Sequence, residues 1–410
     1  MSDPLFSIVI PYKQRLDNIR LVLASLAEQT LDRAAFEVVV GVLENSPDYT
    51  AACREVSARV CVVSVVSDRE WQVGEARNMA LRQARGQVIV LLDADVVVPP
   101  TFLAELYERH YAYGQQVCVV GQLVDYDNNT SDVETVETRP FAYYRSRLAD
   151  LAAASDVRSD PRLAARHVIP WSFAWTALIA VPAALIRRHE LFFDPGFRGY
   201  GVEDLEWAYR VCATGTPIVM AADVYGIHLP HVRSLAANRR TEAVNYRYFL
   251  RKWPATDVEL ACAYGDFEAN ERYPGLRREL RDVFGADRVP AVLRGLVAGV
   301  GTLVVGATTD GTGRVLASLP VAFDTEPTVL PLVGLALPYD DASVGECFLL
   351  PAVDRLSAAY RDVIHAEAAR VAQRVVAARH GTAARHDAAV PHETAVRHET
   401  AVRHDAAATR

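Results

Sequence analysis

The run "GQVIVLLDADVVV" is apolar except for two aspartates one residue apart, Asp93 and Asp95, near its carboxyl end. Read as a strand, side chains at i and i+2 point the same way, so both carboxylates face one side and Ala94 faces the other. Like charges set together in apolar surroundings are costly unless something positive joins them, and a metal ion is the first candidate. Two other groups have residue types that would work with such a pair. Glu203 and Asp204 follow the glycine-rich stretch "FRGYGV" and open the helical run "EDLEWAYRVCA". Acids in a first turn are favoured by the helix dipole, so capping is the plain explanation. The glycine loop in front of them points further, to a carboxylate delivered into a pocket and held ionised by the dipole. His228 and His231 lie just past the strand-like "PIVMAADVYG", three residues apart, and suit metal ligation.

These groups need a frame. "FSIVIPY", "FEVVVGVLE" and "CVVSVVS" read as strands, with helical patterns between them at 15–29 and around "YTAACREVSARV". A helix over 73–86 is expected to stop at Gly86, and "TFLAELYERHYAYG" follows the aspartate strand as another. Strands alternating with helices over short links predict an α/β fold, a Rossmann-like, mostly parallel sheet with helices on both faces. Ligands of such sheets sit at the carboxyl ends of the strands, which is where Asp93 and Asp95 lie. The polar stretch "GQLVDYDNNTSDVETVETRPFAYYRSR" reads as a loop with a short strand.

Composition narrows the class. The chain has 410 residues, of which 51% are hydrophobic and 23% charged, an ordinary globular composition. A net charge of -8 argues against broad nucleic-acid binding. Six cysteines without C-x-x-C spacing read as reduced thiols. "MSDPLFSIVIPY" has no basic leader region and enters a strand at once, so no signal peptide and a cytoplasmic location are expected. Ile169 to Ile186 is 18 residues without a charge, at the lower edge of a membrane span. Pro170, Ser172, Thr176 and Pro182 break it, which favours a buried strand–turn–helix over a span.

Five motifs in order carry a resemblance. They are Pro11-Tyr12-Lys13-Gln14-Arg15 after the first strand, Glu44-Asn45-Ser46 after the second, Ala76-Arg77-Asn78 in a helix, Asp93-Ala94-Asp95, and "FRGYGVEDLEWAYR" with Glu203-Asp204. The first 255 residues resemble inverting glycosyltransferases of family 2 with the GT-A fold, and the stretch "FRGYGVEDLEWAYR" is similar to that of the chondroitin-polymerase and galactosyltransferase branches. The resemblance implies that Pro11, Tyr12, Arg15, Glu44, Arg77, Asp93, Ala94 and Asp95 bind the donor nucleotide. It makes Asp95 and His231 metal ligands, with Asp93 and His228 as further candidates. Asp204 is then the base and Glu203 its neighbour on the acceptor or sugar, with Tyr200, Gly201, Trp171 and Trp175 on the sugar side. Lys13-Gln14, Glu44, Tyr200 and Trp175-Thr176 depart from the usual residues and leave base and sugar preferences open.

The chemistry implied is transfer of a sugar from a nucleotide-diphosphate sugar, a UDP-sugar in the first instance, to a hydroxyl of a small metabolite or glycan. Carboxylate with imidazole favours Mn²⁺ over Mg²⁺. A GT-A-fold nucleotidyltransferase and a non-catalytic sugar-binding scaffold are the alternatives; the Glu-Asp pair and the retained Asp-x-Asp argue against them.

Residues 256–375 form a second, smaller α/β segment, read as strand, glycine loop, helix and strand, then a loop, a strand and a long helix. "ALPYDDAS" and "EAARVA" resemble a truncated class I methyltransferase, but "VGATTDGTG" is a poor cofactor loop. A docking or homodimerisation unit is the expectation. From 376 a six-residue repeat headed by His380, His386, His392, His398 and His404 reads as a disordered tail.

Overall fold

The computed structural model describes residues 3–125, 132–137, 139–154, 160–316 and 318–378. The six-residue repeats lie outside them. The first half alternates as expected: β1 (Phe6–Tyr12), α1 (Leu16–Ala27), β2 (Phe36–Val42), α2 (Pro47–Val56), β3 (Val62–Val66), α3 (Val73–Leu81), β4 (Val88–Leu92). Next come β5 (Val96–Val97), α4 (Phe102–His110), β6 (Cys118–Val124), α5 (Phe141–Ala153), β7 (Leu178–Pro182), α6 (Ala183–His189), α7 (Glu203–Ala213) and β8 (Ile218–His228). The strands form one eight-stranded sheet in the order β3-β2-β1-β4-β7-β6-β8-β5. β3, β2, β1 and β4 run parallel, β7 opposes both β4 and β6, and β8 is parallel to β6.

Strand alternation builds the layers. Val9, Val39, Ile89 and Leu91 enter one core, and Ile8, Ile10, Val38, Val40, Val88 and Val90 the other. Helices α1 and α4 cover the second face through Ile19, Val22, Leu103 and Leu106. Helices α3 and α7 cover the first through Ala80, Leu205, Trp207 and Val211. Burial on both faces explains why these strands read as continuous apolar runs.

Two element boundaries differ from the sequence expectation. Helix α3 ends at Leu81, before Gly86. Gly86 is instead a close-approach glycine: a Cβ there would lie 2.4 Å from the Ser7 nitrogen on β1. The stretch expected to be loop after β6 contains α5, which starts straight after Pro140. The apolar run at 169–186 resolves into a short 3-10 turn at Pro170–Phe173, strand β7 and helix α6, and no described helix is long and apolar enough to cross a membrane.

The rest of the chain begins with three helices, α8 (Leu235–Lys252), α9 (Thr256–Tyr264) and α10 (Asp266–Phe284). It continues with β9 (Val289–Val297), β10 (Val300–Thr309), β11 (Thr328–Leu330), β12 (Val344–Leu349), α11 (Pro351–Asp354), α12 (Ala358–Val371) and β13 (Ala372–Ala377). These strands make a second sheet, β11-β9-β10-β12-β13. β9 and β10 are an antiparallel hairpin turning at Ala298-Gly299, and β10 runs to Thr309 into "VGATTDGTG", the stretch expected to be a glycine loop. β13 runs through Ala377, past the expected start of the tail. The first core does not stop at residue 255: Phe249, Val258, Leu276, Val292, Leu303 and Ile364 all belong to it.

Candidate active site

Asp93, Ala94 and Asp95 form a turn between β4 and β5, closed by the Val96 N–H on the Asp93 carbonyl at 3.2 Å. The expectation of one strand with both carboxylates on one side is therefore corrected. A turn rotates successive side chains away from the period of two, and the carboxylates find separate partners.

Asp95 is drawn to the histidines by strand pairing. Val96 of β5 faces His228 of β8, and the Leu229 N–H donates to the Asp95 carbonyl at 2.7 Å. His231 Nδ1 lies 3.1 Å from Asp95 Oδ2, and His228 Nε2 lies 4.0 Å from Oδ1. The ligand atoms of Asp95, His228 and His231 all fall within 4.8 Å of one another. Burial opposes ionisation of Asp95, but Arg15, His231 and His228 outweigh it and hold the carboxyl far below its usual range. Burial lowers the His228 pKa, favouring the neutral imidazole that a metal binds. One ionised carboxylate and two imidazoles, nearly enclosed, suit a divalent ion of the first transition row. The Arg15 guanidinium pairs with Asp95 Oδ2, so a cation already balances the carboxylate in this structure.

Asp93 stands apart from that cluster. Its Oδ1 accepts from Arg77 at 2.8 Å, and the other arm of Arg77 reaches Glu203 Oε1 at 3.0 Å. Arg77 is 3% exposed, so it is a buried clamp between the Asp-x-Asp turn and the Glu-Asp helix. Its place is set by α3 lying hard against β2: a Cβ at Gly41 would stand 1.9 Å from the Ala76 carbonyl oxygen. Asn78, on the next turn position, bonds both the N–H and the C=O of Phe193, at 2.7 and 2.8 Å, and fixes the segment that leads to α7. Removing one partner of a buried charge network strands the others. Arg77→Ala is expected to lower stability by about 3–5 kcal/mol, read as a shift of the urea midpoint at constant slope; an unchanged midpoint would show that Arg77 is not the clamp.

The acids at the start of α7 do not behave as caps. The helix has no side-chain cap, and Val202 before it sits at φ 74°, a left-handed conformation rare for a β-branched residue. Glu203 is turned to Arg77, while Asp204 Oδ1 accepts the adjacent Leu205 N–H at 2.9 Å. Burial, then the Glu203 and Asp266 charges, raise the Asp204 pKa well above the ordinary carboxyl value against the pull of Arg77. This corrects the expectation that the helix dipole holds Asp204 ionised: the dipole is a surface-scale effect and burial is larger.

Residues 7–159 match the sequence model of Glycosyl transferase family 2. Validoxylamine A glucosyltransferase of Streptomyces hygroscopicus subsp. jinggangensis (strain 5008) is 32% identical over 270 residues, 63% of this chain and 64% of that one. O-antigen biosynthesis protein RfbC of Myxococcus xanthus is 26% identical over 249 residues, 59% of this chain and 18% of that one. The chain spans 64% and 59% of the length of the two validoxylamine A glucosyltransferases it matches. A solved structure, mannosyltransferase PcManGT from Pyrobaculum calidifontis in complex with GDP-Man and Mn2+, aligns at a TM-score of 0.44 with 17% identity, over 68% of this chain and 76% of that one.

The remaining expected site residues divide. Pro11 and Tyr12 end β1 and are buried; Tyr12 stacks on Tyr49 with centroids 4.6 Å apart and has no free face. Glu44 accepts the Gln14 N–H at 3.1 Å at the mouth of the first strands. Trp171 is corrected from a sugar platform to core: it is 2% exposed, packs edge-on to Tyr209 and Phe249, and donates to Asp257 at 2.9 Å. Trp175 is half-buried, with Arg162 4.2 Å over its ring and its indole N–H on Asp266 at 3.3 Å. Tyr200 is 54% exposed and hangs from Thr241 of α8 by its N–H at 3.2 Å. Sequence reasoning missed Asp266, whose charge acts on Asp204, and Tyr246, which donates to Asp266 at 2.5 Å. The one local sign was "YGDF", a glycine and an acid at a helix junction.

Proposed function

We propose that this chain is a metal-dependent inverting glycosyltransferase that moves a sugar from a nucleotide-diphosphate sugar, a UDP-sugar in the first instance, to a hydroxyl of a small metabolite or glycan. The observation that carries the reading is the chain of contacts Asp93–Arg77–Glu203. It couples the turn bearing Asp95, with His228 and His231, to the helix start bearing Asp204, so a donor end and an acceptor end share one rigid link. The family match over residues 7–159 and a relative named as a glucosyltransferase support it.

Asp95, His228 and His231 would hold the ion, and a divalent cation there supplies neutralisation of the charge that develops on the leaving diphosphate. The imidazoles favour Mn²⁺ over Mg²⁺. Asp204 takes the acceptor proton as the hydroxyl oxygen forms its bond to the anomeric carbon and the bond to the diphosphate oxygen breaks. Attack opposite to the leaving group inverts the anomeric centre. Arg77 orients Glu203, and Glu203 in turn helps to keep the Asp204 carboxyl basic. Release of free nucleoside diphosphate from a panel of sugar nucleotides, with and without acceptor, tests the reading; no turnover and no binding across the panel would sink it.

The raised pKa of Asp204 has a kinetic sign. A base works when deprotonated, so transfer is expected to fall as pH drops through a value above the ordinary carboxyl range, with full rate on the alkaline side. A pH profile of kcat/KM that stays flat down to pH ~4, the ordinary carboxyl value, would exclude Asp204 as the base.

A further inference from the structure

A cleft of about 500 Å³ opens between α8 and the C-terminal segment. One wall is a face of α8, with Glu242, Tyr246 and Leu250 on successive turns. The opposite wall comes from the C-terminal segment: Leu335, Ala336 and Leu337 of a loop, and Val363 and Glu367 of α12. The cleft is joined to the acceptor side of the site by named contacts. Tyr246 donates to Asp266, which also receives the Trp175 indole N–H. A Cβ on Gly201 would lie 3.6 Å from the Glu242 Cγ, so Glu242 stands directly against the loop that delivers Glu203 and Asp204.

The C-terminal wall is held in place before anything binds. The buried Glu259 carboxylate accepts the N–H groups of Val333, Gly334 and Leu335 at 2.8, 2.6 and 2.7 Å. Glu367 accepts the Leu337 N–H at 2.7 Å, and Arg251 of α8 donates to the Pro338 carbonyl at 3.0 Å. Three helices thus pin one loop whose leucines face the cleft. Its size is that of sites for compact organic molecules, and its lining sets leucine and alanine beside charged groups on both walls, Arg239, Glu242 and Arg247 of α8 and Glu367 and Arg370 of α12, which suits a ligand with an apolar part and polar substituents.

We propose that this cleft holds the body of the acceptor, a small molecule with an apolar part and a hydroxyl directed to Asp204, and that the C-terminal segment thereby selects the acceptor. The proposal rests on the glycosyltransferase reading above. It gives the second sheet a role in the reaction in place of docking alone.

The test uses the full chain with Mn²⁺, UDP-glucose and two probes, p-nitrophenyl β-glucoside and methyl β-glucoside. Donor affinity is read by calorimetry and probe contact by saturation-transfer NMR. The aryl probe is expected to bind at least ~10-fold tighter than the methyl probe, as burial of a ring implies. Ala243 and Ala366 line the cleft from opposite walls and are exposed, so a tryptophan at either fills the space without disturbing a core. Ala243→Trp and Ala366→Trp are each expected to remove that preference while UDP-glucose binds as in the parent chain. UDP-glucose binding with no aryl preference, or a preference untouched by both substitutions, would overturn the acceptor assignment alone. A parent chain that binds no sugar nucleotide would overturn the transferase reading and the assignment with it.

Discussion

Asp204→Asn is expected to bind UDP-glucose with near-parental affinity and to transfer it about 10²–10⁴-fold more slowly, the range for loss of general-base help. The donor groups, Asp95 with His228 and His231, are untouched by the change. Asparagine keeps the oxygen that accepts the Leu205 N–H, so the helix start is preserved. What is lost is the proton acceptor, whose burial between Glu203 and Asp266 raises its basicity. The acid limb of the pH profile should vanish with it. Glu203→Gln is the companion measurement. Glu203 is engaged by Arg77 at 3.0 Å, so its amide variant is expected to retain the acid limb at reduced rate. If transfer instead survives in Asp204→Asn and dies in Glu203→Gln, the base is Glu203.

Asp95→Ala should cost at least ~100-fold in turnover, on the scale of removing an electrostatic stabiliser of the developing charge. It removes the only carboxylate of the metal cluster found among the described residues. Titration of Mn²⁺ followed by electron paramagnetic resonance gives a readout independent of turnover: the bound fraction seen for the parent chain should disappear. Asp95→Asn, which keeps the shape beside Arg15 and His231, separates loss of charge from loss of packing and should fail in the same two ways. Treatment of the parent chain with EDTA should reproduce the kinetic defect. Full activity in EDTA, or unchanged Mn²⁺ binding by both variants, would end the metal assignment.

The residues of this site were legible in the chain to the extent that their signals are local. Continuous apolar runs, helices between them, and acids at a strand end and a helix start need only neighbouring residues to be read, and "FSIVIPY", "GQVIVLL" and "EDLEWAYRVCA" sit in the expected elements. The alternation within each strand also contained the two cores, since a buried parallel strand feeds both faces. Other features depend on groups far apart in the chain, and only the tertiary structure decided them. β5 pairs with β8, so His228 and His231 both reach Asp95, whereas Arg77 captures Asp93 because α3 packs on Gly41. Trp171 looked like a sugar platform and is core, because α8 and α10 close over it. The basicity of Asp204 reversed the dipole expectation for the same reason: desolvation depends on what is packed around a carboxyl, here α7 and Asp266 of α10, and no short window of sequence contains that packing. The cleft between α8 and the C-terminal segment belongs wholly to tertiary structure, since its walls come from helices and a loop that meet only when that segment folds against α8.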